Sequence, residues 1–218
     1  MRYELVDLQG QDGRMFVVGD LHGAYEALLT ALRQVRFDPH KDFLFSVGDL
    51  VDRGEGNLEL IKLFDSEKHL YAVRGNHEEM IVEEEWDMHA ANGGLWYLRL
   101  SILDQDYIDA VLKDLPIVMT VISPSGRKIG LVHADCTDHW DSFVEAIDNG
   151  DHHLQKYAQW GRTSITRAKQ GKPMVPVEGV DMVYMGHTPN ASPVRARNRV
   201  WLDTGAWFKN EVYLEQVL

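Results

Sequence analysis

Residues 48–54 read Gly48-Asp49-Leu50-Val51-Asp52-Arg53-Gly54 and follow directly on the apolar run Phe43-Leu44-Phe45-Ser46-Val47. A short apolar run bounded by glycine has the signature of a buried strand, which places Asp49 at its carboxyl end in a turn. Two carboxylates and a guanidinium then share that turn. Alone, they fit a solvated turn with an internal ion pair as well as they fit a binding site. Neighbouring segments separate the two readings.

Upstream, residues 15–19 are apolar and run into Asp20-Leu21-His22-Gly23; Leu28, Leu29, Leu32 and Val35 then mark one helix face ahead of Pro39. Downstream, Leu60, Ile61 and Phe64 mark a second short helix, and residues 70–73 form a third strand ending at Arg74-Gly75-Asn76-His77-Glu78. Asp20 to Asp49 and Asp49 to Asn76 each span close to the ~30 residues of a strand-helix-strand unit, so three parallel strands are expected. Right-handed crossovers put the turns after such strands along one sheet edge, where open α/β sheets bind ligands. Asp20, His22, Asp49 and Asn76 should therefore converge.

Residues 78–114 read as helical packing elements, with Leu95, Leu98 and Ile102 on one face and Glu83, Glu84 and Glu85 as a solvated one. Strands resume at 117–122 and 128–132 around a Pro124-Ser125-Gly126 turn, and the second ends at His133-Ala134-Asp135. Residues 138–178 are polar, aromatic and irregular, the segment expected to face substrate or act as a lid. Residues 181–185 form a strand that delivers Gly186-His187-Thr188-Pro189, and 199–202 with 212–217 are expected to complete a second sheet. The class is α/β, read as one domain over residues 1–218.

Composition bounds the function. With 218 residues, 44% hydrophobic and 26% charged, the chain is an ordinary globular protein with ample material for a core. It lacks a signal-type apolar segment and any stretch near the ~20 apolar residues of a membrane span, so a soluble cytoplasmic protein with no membrane partner is expected, with a monomer favoured. Thirty-four acidic against 22 basic residues, a formal charge of -12, disfavour nucleic acid as a partner and nuclease activity with it. Cys136 is the single cysteine, so no internal disulfide forms. A cysteine-dependent phosphatase loop would need an arginine six residues further on, where Ser142 stands.

Five strand ends thus carry Asp20, His22, Asp49, Asn76, His133 and His187: two carboxylates, three imidazoles and an amide. Mixed oxygen and nitrogen donors suit Mn²⁺, Fe or Zn²⁺ better than the all-oxygen cages of Ca²⁺ or Mg²⁺. Six are too many for one open catalytic ion and suit two, with Asp49 the natural bridge. His40, His69, His89, His139, His152 and His153 lack such a setting and read as structural or surface histidines.

The five motifs, in order and spacing, resemble the PPP-type metallophosphoesterases. Asn92-Gly93-Gly94, Trp160-Gly161-Arg162 and Asp203-Thr204-Gly205-Ala206 are similar to the compact bacterial and phage Ser/Thr protein phosphatases. The resemblance implies a calcineurin-like fold with a two-sheet β-sandwich core flanked by helices. It implies two divalent ions, Mn²⁺ foremost, one held by Asp20, His22 and Asp49 and the other by Asp49, Asn76, His133 and His187. Arg53, Arg74 and Arg162 would grip phosphate, and His77, oriented by Asp52, would protonate the leaving group. The implied reaction is direct in-line hydrolysis of a phosphorylated protein or peptide, on serine or threonine with tyrosine as a further substrate. The alternative within the same fold is a dinucleoside polyphosphate hydrolase, for which residues 162–172 and 195–199 offer only modest basic clusters. A non-catalytic phosphate-binding scaffold would lack a ligand or His77, and neither is missing.

Overall fold

The computed structural model describes residues 2–218. Strand β1 (Tyr3–Asp7) is followed by β2 (Met15–Val18), helix α1 (Tyr25–Gln34), β3 (Phe43–Ser46), α2 (Asn57–Ser66) and β4 (Leu70–Ala72). Strands β2, β3 and β4 are parallel neighbours, as the repeated strand-helix spacing requires. Side chains alternate across them: Met15 and Val17 enter one apolar layer, Phe16 and Val18 the other. With both faces covered, β2 and β3 are buried throughout, which explains their unbroken apolar character.

Helices α3 (Asn76–Val82) and α4 (Trp86–Ala91), a 3₁₀ helix (Gly94–Arg99) and α5 (Ile102–Asp114) come next, then β5 (Val118–Ile122) and β6 (Lys128–Val132). The chain continues through α6 (Trp140–Asp148), α7 (His152–Trp160), α8 (Thr163–Lys169), β7 (Met182–Met185), β8 (Val194–Ala196), β9 (Arg199–Trp201), α9 (Ala206–Lys209) and β10 (Leu214–Val217). The strands form a six-stranded sheet, β1-β5-β6-β7-β9-β8, and a four-stranded one, β10-β2-β3-β4. Val17, Phe45, Val47 and Val73 meet Met119, Val121, Leu131 and Val200 in the apolar layer between them. Phe45 stacks on Tyr71 there, centroids 4.8 Å apart, and its full burial contributes ~1.5–3 kcal/mol. Helices α1, α2, α3 and α5 cover the outer face of the four-stranded sheet, and α6, α7 and α8 that of the six-stranded one.

Four details depart from the sequence expectation. Strand β10 returns to the first sheet, antiparallel to β2, and the second sheet is completed instead by β1, which pairs with β5, and by β8. Leu95, Leu98 and Ile102 are 52%, 60% and 75% exposed. The 3₁₀ helix has three residues per turn and ends before Ser101, which caps α5 by accepting a bond from Asp104 N, so no single helical period runs through 95–102. Tyr97, Ile108 and Leu112 are the inward residues. In α1, Ala24, Ala27 and Ala31 join Leu28 on the buried face while Leu29 lies beside it, since small residues let the helix approach the sheet closely. Residues 138–178 are mostly a helical layer: Trp140, Phe143 and Ile147 are buried on the sheet, and Trp140 Nε1 donates to Thr120 Oγ1 at 2.9 Å.

Candidate metal centre

The carboxyl ends of β2, β3, β4, β6 and β7 meet at one edge of the two sheets, and Asp20, His22, Asp49, Asn76, His133 and His187 are all buried there. Holding so many short polar side chains at one point demands sharp turns. His22, Asp49, Asp52, Arg53 and His187 all have φ between 44° and 74°, in the left-handed region. That region costs a side chain ~1–2 kcal/mol per residue, strain that backbone bonds between the turns must hold. Leu21 N and His22 N donate to Asp49 O at 3.0 and 2.9 Å, and Gly54 N to His22 O at 3.0 Å. His187 N donates to both oxygens of Asp20, at 3.0 and 3.1 Å. Gly186 lies so close to Asp20 that a Cβ there would overlap its carboxylate.

Asp49 is central. Its Oδ2 lies 3.5 Å from His22 Nε2, 3.3 Å from His133 Nε2 and 3.9 Å from His77 Nε2. Asn76 Oδ1 lies 2.9 Å from His133 Nε2 and 2.8 Å from His187 Nδ1. Asp20 stands further out, its Oδ2 4.0 Å from His22 Nε2. Two groups have the spacing of a shared ion, His22-Asp49-His77 and Asp49-His133-His187, and Asp49 belongs to both. The sequence reading placed Asp20 rather than His77 with His22 and Asp49, so the presence of His77 in the first group was not foreseen.

The donor chemistry fits cations. His22 Nδ1 donates to Val51 O at 2.7 Å and His133 Nδ1 to Val47 O at 2.8 Å, which turns the Nε2 of each toward Asp49. His133 Nε2 thus faces two oxygens, Asn76 Oδ1 and Asp49 Oδ2, an arrangement that calls for a positive charge at that point, a proton on the imidazole or a metal ion in its place. His187 Nε2 is buried without a hydrogen-bond partner. Burial, with the neighbouring His133, drives the His187 imidazole down to about 3, and burial drives His22 down to about 3, so both are neutral and able to donate a lone pair. Burial also lowers His133, but Asp49 outweighs it and pushes the group up to about 10. Asp49 itself would be raised by burial, yet His133, His77 and His22 hold it well below the usual range. Burial and the nearby Asp203 and Asp49 carboxylates raise Asp20.

His77 Nδ1 donates to Asp52 Oδ2 at 2.5 Å, which leaves its Nε2 facing Asp49. Burial would depress His77, but Asp49 and Asp52 together raise it. Of the histidines read as structural or surface, His89 is structural: it is buried and its Nε2 donates to Asp52 Oδ1 at 2.8 Å. Trp96 Nε1 donates to the same oxygen at 2.6 Å. Neither residue sits at a strand end, so no motif signalled them. The Asn92-Gly93-Gly94 element makes room: a Cβ on Gly94 would overlap the His89 ring, and Gly93 O accepts from Arg53 N at 3.4 Å.

Glu78 is a second buried group that sequence reasoning left without a role, although its place three residues after Gly75 is a helix-capping signal. Its carboxylate accepts from Gly75 N and Asp49 N at 2.8 Å, Leu50 N at 2.7 Å and Val51 N at 3.2 Å, tying the Asp49 turn to the start of α3. Glu78→Gln turns an amide N–H₂ against those backbone donors. Leaving them unpaired costs about 1–3 kcal/mol, a fall in Tm of about 3–10 °C for a chain of this size, readable by thermal unfolding. A Tm within 1 °C or so of wild type would show that the turn does not depend on this carboxylate.

The three arginines differ. Arg53 Nη1 lies 2.7 Å from His22 Nε2 and its Nη2 lies 3.0 Å from His77 Nε2, so the guanidinium, expected to grip phosphate, covers two imidazoles of the cluster. Arg74 is buried with Nε 3.2 Å from Glu79 Oε2. Arg162 is exposed and near enough to His187 to help depress its imidazole, after burial and His133. Trp160 packs edge-on to His187, centroids 6.0 Å apart.

Comparison with known proteins identifies the family. The model of the calcineurin-like phosphoesterases matches residues 13–191. The chain belongs to that family. As a metallophosphoesterase it uses divalent metal ions, for which the buried Asp, Asn and His donors above are suited. Serine/threonine-protein phosphatase 1 of Salmonella typhimurium is 32% identical over 213 residues, 93% of this chain and 91% of that one. The symmetrical bis(5'-nucleosyl)-tetraphosphatase of Ectopseudomonas mendocina is 37% identical over 134 residues, 61% of this metallophosphoesterase and 48% of that enzyme. A solved protein serine/threonine phosphatase from Saccharomyces cerevisiae shares the fold, with TM-score 0.67 at 14% identity over 99% of this chain and 82% of its own. Among the described residues, no helix is long and apolar enough to cross a membrane.

Proposed function

We propose that this metallophosphoesterase is a protein-serine/threonine phosphatase that hydrolyses phosphomonoesters by direct in-line attack within one catalytic domain. The observation that carries the reading is the placement of Asp49 between the His22 and the Asn76-His133-His187 sides of one buried cluster. Asp20, His22 and Asp49 would hold one divalent ion and Asp49, Asn76, His133 and His187 the other, with Mn²⁺ the expected metal. Two such ions supply Lewis acidity and a water nucleophile at neutral pH, a contribution that side-chain proton transfer, worth ~10²–10⁴-fold, does not replace.

The chain's own residues supply the rest. Arg53, Arg74 and Arg162 bind the phosphate oxygens; for Arg53 this means exchanging its contacts with His22 and His77 for the anion. Once Arg53 has turned to the anion, His77 Nε2 is free to carry the proton destined for the departing serine or threonine oxygen, and Asp52 orients that ring by accepting from Nδ1. With a formal charge of -12 overall, phosphate binding must draw its positive charge from local groups such as these arginines. A soluble cytoplasmic enzyme acting on phosphorylated proteins or peptides is the setting this reading implies.

The alternative substrate, a dinucleoside polyphosphate, is supported by the tetraphosphatase relatives, yet these align over less than half of their own length, whereas the protein phosphatase aligns over nearly all of its own. Initial rates on a phosphoserine peptide and on diadenosine tetraphosphate separate the two. The expected result is a kcat/KM at least about 100-fold higher on the peptide, ~2.8 kcal/mol in transition-state binding. A reversed preference would replace the protein-phosphatase reading with the polyphosphatase one.

A further inference from the structure

We propose that His89 is a positioning residue for proton transfer, acting through Asp52 to hold the ring of His77 in its donating orientation, with Trp96 as its companion. The inference rests on the reading of His77 as the proton donor. Asp52 is fully buried and receives three N–H groups: His77 Nδ1 on Oδ2, and His89 Nε2 and Trp96 Nε1 together on Oδ1. An indole N–H can only donate, so Oδ1 is fixed as an acceptor. Two donors on that oxygen hold the carboxylate with Oδ2 turned to His77. The His77 ring then has its Nδ1–H committed, and Nε2 is the nitrogen that faces Asp49.

His89 is itself held rigidly. Its ring lies edge-on to Tyr97, centroids 6.0 Å apart, with Trp86 on another side at 6.4 Å and the bare backbone of Gly94 against it. All of these come from α4 and the 3₁₀ helix, elements that contribute nothing directly to the cluster around Asp49. A buried imidazole with this much packing fills space whatever its hydrogen bond does. What distinguishes positioning from packing is that only the N–H matters to His77.

The test uses leaving groups. A serine alkoxide must be protonated as it departs, whereas p-nitrophenolate departs readily without a proton, so a defect confined to proton donation slows the first far more than the second. His89→Phe keeps an aromatic ring and removes the N–H; His89→Gln keeps an N–H donor in a smaller shape; Trp96→Phe removes the companion donor. Metal-loaded enzymes are assayed for kcat and KM on a phosphoserine peptide and on p-nitrophenyl phosphate, with bound metal and thermal unfolding measured alongside. His89→Phe is expected to lower kcat on the peptide about 10–100-fold, the range for a removed orienting partner, with KM within about twofold and a loss under about threefold on p-nitrophenyl phosphate. His89→Gln is expected to recover the peptide rate to within about threefold of wild type, and Trp96→Phe to show the same leaving-group bias as His89→Phe.

Equal losses on both substrates, or His89→Gln as impaired as His89→Phe, would make His89 a packing residue and overturn the inference. If His89→Phe does not fold or loses its metal, His89→Gln and Trp96→Phe decide: bias in Trp96→Phe with recovery in Gln supports the proposal, and its absence refutes it. His77→Asn run in parallel separates the two levels. A leaving-group bias in His77→Asn without one in the His89 and Trp96 variants overturns only the role of His89; no bias in His77→Asn overturns the reading of His77 and the inference with it.

Discussion

An Asp49→Ala protein is expected to fold, to bind fewer than two ions per chain, and to lose more than the ~10²–10⁴-fold of activity that any single proton-transferring side chain contributes. The reason lies in the electrostatics of the cluster. Asp49 Oδ2 lies within 3.9 Å of three imidazoles, and no other carboxylate is shared by the two groups with the spacing of an ion site. Removing it takes the one carboxylate the two groups share. It also deprives His133 of the carboxylate that raises it most. The backbone amide of Asp49 still reaches Glu78, so the turn itself keeps its tie to α3. Metal content by mass spectrometry, circular dichroism and steady-state kinetics give the three readouts. Two ions retained in Asp49→Ala would show that Asp49 does not bridge.

The second large effect is expected from His77→Asn. If His77 is the proton donor as proposed, its loss should cost ~10²–10⁴-fold in kcat on a poorly departing alkoxide and leave KM nearly unchanged, since phosphate binding is assigned to the arginines in the same proposal. Metal content should remain at two per chain. The structure makes this a sharp test, because His77 is also close enough to Asp49 and His22 to share an ion with them. The bond from His77 Nδ1 to Asp52 serves either role, since it orients a ligand as well as an acid. Metal lost from His77→Asn would assign His77 as a ligand in place of Asp20.

The part of this site that sequence reveals is the part written at strand ends. Residues 15–18, 43–46 and 70–72 are apolar because both faces of their sheet are covered, and each hands over to a glycine-bounded turn carrying an acid or amide. That pattern is local, so the meeting of Asp20, His22, Asp49 and Asn76 at one edge was legible, and His133 and His187 join them there. His89 and Trp96 were not legible, because their role exists only once α4 and the 3₁₀ helix fold back over Asp52. Strand β1 was missed because Tyr3-Glu4-Leu5-Val6-Asp7 is a half-exposed edge with little apolar contrast. Strand β10 was found but assigned to the wrong sheet, since an antiparallel partner on an edge leaves no mark on the strand's own sequence. The guanidinium of Arg53 shows the same limit: its turn was legible, but its contact with His22 and His77 was not.

Anomalous diffraction from crystals of the Mn²⁺-loaded protein tests the central claim most directly. Two peaks about 3.5–4 Å apart are expected, one on each side of the Asp49 carboxylate, the first against His22 and the second against Asn76, His133 and His187. A single peak, or two peaks of which neither touches Asp49, would contradict it.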